Sequence, residues 1–380
     1  MKKIKIVFNA LGSDSIGSVR IPHVGFKSQF EKFDEFEVHS NDFENYDKYD
    51  VAILHGDDDE VIRAKNQNPS ILIGLAKPHH ERVVHSPLTS FSLKSFLYQY
   101  RFFTDDNKSS FMKKREHKLS RADFLIADTV HLKNYFELRG HDCIYLKLIE
   151  AYSNNVIGTT PVISQDNCIT FGYHGNPRHL IESKDYIFPA LNDLAKDTHV
   201  KLIVVTNIDK VNNKYFRDAN FDIEFHEYSY PGIYSTLSSI DIGLVPNQIS
   251  YKNKFFEKLL SKFGAFFWNT DRAHDLVFRY KQSVNAGRAF VFAQLDKPFV
   301  ACPVPELLAI FGCFMEDCFP YDKETWGHVI IQLAKNKSRQ KELAEELNKL
   351  VNTTLNVENE ANILKEYIIN RMSSSNHINH

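Results

Sequence analysis

Several short stretches of this chain carry side chains able to do chemistry at useful spacings. His55-Gly56-Asp57-Asp58-Asp59 follows the apolar run Val51–Leu54, and Lys77-Pro78-His79-His80 follows Ile71–Leu75. A histidine or carboxylate just past a short strand can take a proton from a hydroxyl group, so His55 and Asp57 are candidate bases. In the second half, Phe171-Gly172-Tyr173-His174-Gly175-Asn176 runs from a strand into a loop. Glycines there let backbone N–H groups approach an anion. Lys281-Gln282-Ser283-Val284-Asn285 is followed by Arg288. Seven residues are two helical turns, so on a helix Lys281 and Arg288 share a face, with Ser283 placed to cap it and reach a phosphate. Two cations so placed make a clamp for a diphosphate. The plainer alternative is that both are solvated surface cations.

Other polar groups have structural readings beside the chemical ones. The acidic run Asp57–Asp59 suits a metal or, more simply, a solvated loop. His174 and His179 lack a third ligand at metal-site spacing and read as loop residues, so no metal site is assigned. Arg20 and His23 follow a first glycine loop, Asn9–Gly17, and have the chance to face the cleft. Asp241 opens a strand and suits a cap or turn. Glu306 either binds a hydroxyl or sits at a helix N-terminus, where the dipole favours it.

The elements that must position these residues alternate. Strands are expected at Ile4–Asn9, Val51–Leu54, Ile71–Leu75, Phe124–Ala127 and Cys143–Leu148, with helical stretches between. Around Asn154–Asp166 the pattern gives way to Ser, Asn, Thr, Gly and Pro, a linker. The rhythm then restarts with strands at Cys168–Tyr173, Val200–Thr206, Phe221–Phe225, Ile240–Val245 and Phe299–Ala301. Helices are expected at Leu180–Lys196, Ile233–Ser239, Ser283–Ala293, Lys323–Lys335, Ser338–Val351 and Glu358–Arg371. Strands alternating with helices predict parallel, doubly wound sheets. A chain of 380 residues has room for two such domains.

Composition narrows the function classes. A formal net charge of −2 supplies no global positive field for nucleic acid. The five cysteines are scattered without a C-x-x-C pair, which predicts reduced thiols in a cytoplasmic protein. No run approaches the roughly 20 apolar residues of a membrane span. Residues 251–268 interleave Lys with Phe, Leu and Trp. They read as a helix packed on its domain or as an interfacial helix making peripheral contact with the inner face of a membrane.

The order of motifs from Cys168 to Leu350 resembles the nucleotide-binding domain of the GT-B glycosyltransferases, in particular the bacterial polysaccharide-type enzymes of the broad family 4 group. The first half matches in general pattern only. The resemblance implies an α/β fold of two Rossmann-like domains facing across a cleft: residues 1–155 on the acceptor side, 165–355 binding a nucleotide sugar, and a terminal helix over 356–372 crossing back. It implies a nucleotide diphosphate sugar as donor substrate and no further cofactor. Gly172, Gly175, Asn176, Lys281, Ser283, Asn285 and Arg288 would surround the diphosphate, with cations and helix dipoles in place of a metal, and Glu306 would hold the ribose. His79 or His80 would lie near the transferred sugar, and the acceptor would be a glycan or lipid-linked. The sequence departs from the family where a pair of Glu residues is usual: counting back from Pro298 meets apolar residues such as Val291. That departure leaves a non-catalytic nucleotide- or glycan-binding protein as an alternative. A GT-B epimerase would need paired acids, which the sequence does not show.

Overall fold

A computed structural model describes residues 3–12, 17–55, 58–78, 117–151, 168–211, 213–246, 285–321 and 323–376. His79, His80, Asp57, Lys281, Ser283 and the segment 251–268 lie outside them. The chain divides into two units. In the first, strands β1 (Ile4–Ala10), β2 (Phe36–Ser40), β3 (Val51–His55), β4 (Leu72–Ala76), β5 (Phe124–Ala127) and β6 (Cys143–Tyr145) form one sheet. Its order is β2-β1-β3-β4-β5-β6, every pair parallel. The helices are α1 (Gly17–Arg20), a π turn (Ile21–Gly25), α2 (Phe26–Phe30), α3 (Asp58–Gln67) and α4 (Val130–Glu137).

Alternation along the strands builds a core on each face, as a parallel sheet covered by helices requires. Ile6, Phe8, Val51, Ile53, Phe124 and Ile126 enter one buried cluster; Val7, Ala52, Leu54, Leu125 and Ala127 enter the other. Thr129 caps α4, its hydroxyl accepting from the Leu132 N–H at 3.1 Å.

The second unit is built alike. Strands β7 (Cys168–His174), β8 (His199–Thr206), β9 (Asp222–Glu227), β10 (Ile242–Val245) and β11 (Phe299–Ala301) pair in parallel in the order β11-β10-β7-β8-β9. Around them lie α5 (Pro177–Leu194), α6 (Gly232–Leu237), α7 (Gly287–Gln294), α8 (Pro305–Met315), α9 (Lys323–Lys335) and α10 (Lys337–Thr353). Tyr186 of α5 packs on the fully buried Trp326 of α9, ring centroids 5.4 Å apart. Asp241 accepts from the Thr170 N–H at 2.8 Å and so ties the start of β10 to β7.

The last helix, α11 (Val357–Asn376), returns to the first unit. Ala361, Leu364 and Ile368 join the core cluster of Ile6 and Phe8. Glu360, 2% exposed, accepts from the Lys147 N–H at 2.9 Å and pairs with the Lys147 ammonium at 3.2 Å.

Each sheet has one topological switch point, where successive connections leave to opposite sides. It lies between β1 and β3 in the first unit and between β7 and β10 in the second. In open α/β sheets the crevice outside the carboxyl ends of such strands is where ligands bind.

Candidate functional site

In the second unit the switch point falls at the end of β7. Gly175, the residue after the strand, has φ +120°, a conformation that L side chains rarely adopt. Its N–H donates to Val205 O at 3.1 Å, and its carbonyl accepts from the Thr206 hydroxyl at 2.7 Å. The Tyr173 hydroxyl donates to Asn176 O at 2.5 Å, and α5 then starts with Pro177. Proline suits a first helical position, where its missing N–H costs nothing. The loop is thus held from the end of β8 and from β7 itself, and ends at the N-terminus of an 18-residue helix.

Arg288 closes over this loop. A Cβ built on Gly175 would stand 3.1 Å from Arg288 Cδ, so the absence of a side chain there makes room for the arginine stem. The Arg288 Nη1 is buried and finds no hydrogen-bond partner among the described residues. A buried guanidinium N–H left unpaired is costly, and an anion offsets that cost. Behind it, His174 Nε2 donates to the Arg288 carbonyl at 2.9 Å, and its ring meets Phe292 edge-on at 5.2 Å. Burial pushes the His174 imidazole down to about 4, so the ring is neutral.

Gly175, Asn176 and Arg288 therefore come together. Asn285 sits just before α7, its side-chain oxygen accepting from the Gly287 N–H at 3.3 Å. Glu306 lies 3% exposed in the first turn of α8, past the carboxyl end of β11. Gly172 lies within β7, inside the strand expected over Cys168–Tyr173, and a Cβ there would meet Ile240 Cγ2 at 2.9 Å and Leu237 Cδ2 at 3.2 Å. Its small size serves sheet–helix packing. The helix expected over Ser283–Ala293 runs from Gly287 to Gln294 with Ala286 as its N-cap residue. Arg288 is its second residue, and α7 does not span the two turns back to Lys281. The reason is the Asn285 turn, which satisfies the Gly287 N–H locally.

In the first unit, His55 ends β3 at the switch point. Its Nδ1 lies 3.1 Å from Ala76 O, and a carbonyl only accepts, so Nδ1 donates that hydrogen bond. One strand further, Lys77 adopts φ +50° and pairs with the buried Asp128 at 3.0 Å. Left-handed non-glycine residues concentrate at functional edges. No sequence pattern singles out this pair. Arg20 and His23 are buried braces: the Arg20 guanidinium pairs with Glu150, Nε to Oε2 at 3.1 Å, and His23 Nε2 donates to Phe8 O at 2.9 Å. Burial holds the Glu150 carboxyl above its usual range. Asp59 pairs with Lys118. Among the described residues, no three His, Cys, Asp or Glu side chains are placed to hold a metal ion. No helix among them is long and apolar enough to cross a membrane.

No family model matches the chain, and no curated protein matches its sequence. Solved structures do match in fold. A mutant of the Thermobaculum terrenum O-GlcNAc transferase superposes with a TM-score of 0.56 at 10% identity, covering 97% of this chain and 67% of that one. S. aureus MnaA, solved with UDP, gives 0.53 at 12% identity and 97% coverage of both chains. The T4 phage protein BGT, solved with UDP and Mn2+, gives 0.52 at 10% identity over 96% of this chain and 99% of that one. The fold is GT-B, two Rossmann-like α/β domains.

Proposed function

We propose that this chain is a glycosyltransferase whose donor is a nucleotide diphosphate sugar, with the diphosphate against Gly175, the N-terminus of α5 and Arg288. The observation that carries this reading is the Arg288 Nη1, buried without a hydrogen-bond partner among the described residues and packed over the loop at a switch point. The leaving diphosphate gains negative charge as the sugar departs, and a fixed guanidinium beside it lowers the barrier electrostatically without a metal. One of His55, His79 and Asp57 is the base: it takes the acceptor hydroxyl proton as that oxygen bonds to the anomeric carbon. The carbon–oxygen bond to the diphosphate breaks with its electron pair on the leaving group. Lys281 and Ser283 add to the diphosphate site, and Glu306 holds the ribose.

UDP is the expected nucleotide, since MnaA and BGT were both solved with it. The acceptor is a glycan or lipid-linked sugar of the bacterial polysaccharide type, with residues 251–268 providing membrane contact on the cytoplasmic side. A thermal-shift screen against UDP-, GDP-, dTDP- and CMP-sugars tests the donor. Stabilisation by one class, lost in Arg288→Ala, supports the site; stabilisation by none sinks it. Turnover that persists in EDTA supports a metal-free step. Conversion of the donor to an epimer without acceptor would instead establish epimerisation.

A further inference from the structure

Arg288 is held from two directions. Gly175 gives its stem room on the loop side, while His174, the last residue of β7, grips its main chain. The same imidazole touches two residues one turn apart on α7: its Nε2 donates to the Arg288 carbonyl, and its ring lies edge-on to Phe292. We propose that His174 is a positioning residue, which fixes the first turn of α7 and thereby aims the Arg288 guanidinium at the donor diphosphate. This role rests on the donor-site reading above.

The chemistry of the side chain fits that task. A 6% exposed imidazole that stays neutral donates one hydrogen bond without placing a second positive charge beside the arginine. A protonated ring there would repel the guanidinium. Phenylalanine would keep the ring contact but lose the donor. Glutamine places an N–H where histidine carries Nε2, so it keeps the donor and loses most of the ring. Arg288 itself belongs to a helix whose N-cap, Ala286, makes no side-chain hydrogen bond; Asn285 accepts from the Gly287 N–H, and His174 holds the carbonyl of the next residue.

The test is a double-mutant cycle read by calorimetry, with UDP and inorganic pyrophosphate as probes. His174→Phe is expected to weaken UDP binding about tenfold in the wild-type background and less than about twofold in Arg288→Ala, because the two act through one group. His174→Gln is expected to stay within about threefold of wild type. Additive losses in the two backgrounds, or a His174→Gln loss equal to that of His174→Phe, would overturn the proposal. A second readout does not need the nucleotide. Amide exchange in 290–292, where the Phe290 N–H donates to Ala286 O at 3.0 Å, should speed up about tenfold in His174→Phe relative to the amides of α9. If Arg288→Ala leaves UDP and pyrophosphate affinity unchanged, the donor site fails, and exchange alone then decides His174. Unchanged exchange there would overturn the positioning role.

Discussion

Alanine at Gly175 places a Cβ on a residue with φ +120°, and the new methyl meets Arg288 Cδ at 3.1 Å. Forcing that backbone on an L residue costs about 1–3 kcal/mol. Alanine at Gly172 costs about the same, 1–3 kcal/mol, for a different reason: its Cβ overpacks β7 against Ile240 and Leu237. Both variants should therefore melt lower by about 4–8 °C, taking about 2 kcal/mol at 2–4 °C per kcal/mol for a domain of this size. Their ligand behaviour should separate. Gly175→Ala pushes the arginine stem off the loop, and a hydrogen bond to a charged group contributes about 1.5–3 kcal/mol, so UDP affinity should fall at least about tenfold. Gly172→Ala leaves Arg288 in place and should bind UDP within about twofold of wild type. Isothermal calorimetry at 15 °C, well below either transition, measures both. Equal losses of affinity in the two variants, or wild-type affinity in Gly175→Ala, would refute the assignment of one glycine to the site and the other to packing.

Two further outcomes follow from buried polar groups. His174 has a folded-state value of about 4 against 6.5 for a free imidazole, so its contribution to stability is complete above 6.5 and lost as pH falls from 6.5 to about 4. The span corresponds to about 3 kcal/mol, and His174→Gln should flatten the stability–pH curve by that amount in urea titrations. Burial raises Glu150 and Glu360, which works in the opposite sense as pH rises through their own range, so the difference between wild type and His174→Gln isolates the histidine. Glu360→Ala strips a buried acceptor from the Lys147 N–H and a partner from its ammonium, and should destabilise the first unit by about 3 kcal/mol. Glu360→Gln, which keeps the acceptor, should lose about half of that in the same denaturation assay.

How far the fold could be read from the residues depended on how cleanly each element alternates. Helix α9 has the same ends in sequence and structure because Trp326, Ile330, Leu333 and Ala334 recur on one helical face and are the buried ones. The central strands are legible because parallel strands covered on both faces read as unbroken apolar runs. Strand β2 is not: Phe36-Glu37-Val38-His39-Ser40 lies at the sheet edge and buries only Phe36 below a tenth of its surface. Helix α8 shows only through Pro305-Glu306, since Leu307, Leu308, Ile310, Phe311 and Phe314 surround it with apolar residues and blur the period. Such elements take their form from the sheet they complete, not from local propensity.

The candidate site divides along the same physical line. Arg288 is legible as a cation beside a glycine loop, because charge and glycine are local properties. Which glycine matters is not local. Gly172 and Gly175 look alike in Phe171-Gly172-Tyr173-His174-Gly175, and only the register of β7 against β8 and β10 puts one under Ile240 and the other past the strand end. His174 is hidden for a related reason. In sequence it is one of two loop histidines with no third ligand; in the fold it is the last buried residue of a strand, facing a helix more than a hundred residues away. Its partner is a backbone carbonyl, which every residue has, so no residue pattern can announce the contact. At identities of 10–12% the likeness to those solved structures is one of fold. A contact made to a main-chain carbonyl can be kept while side chains change, and His174 against the first turn of α7 is such a contact.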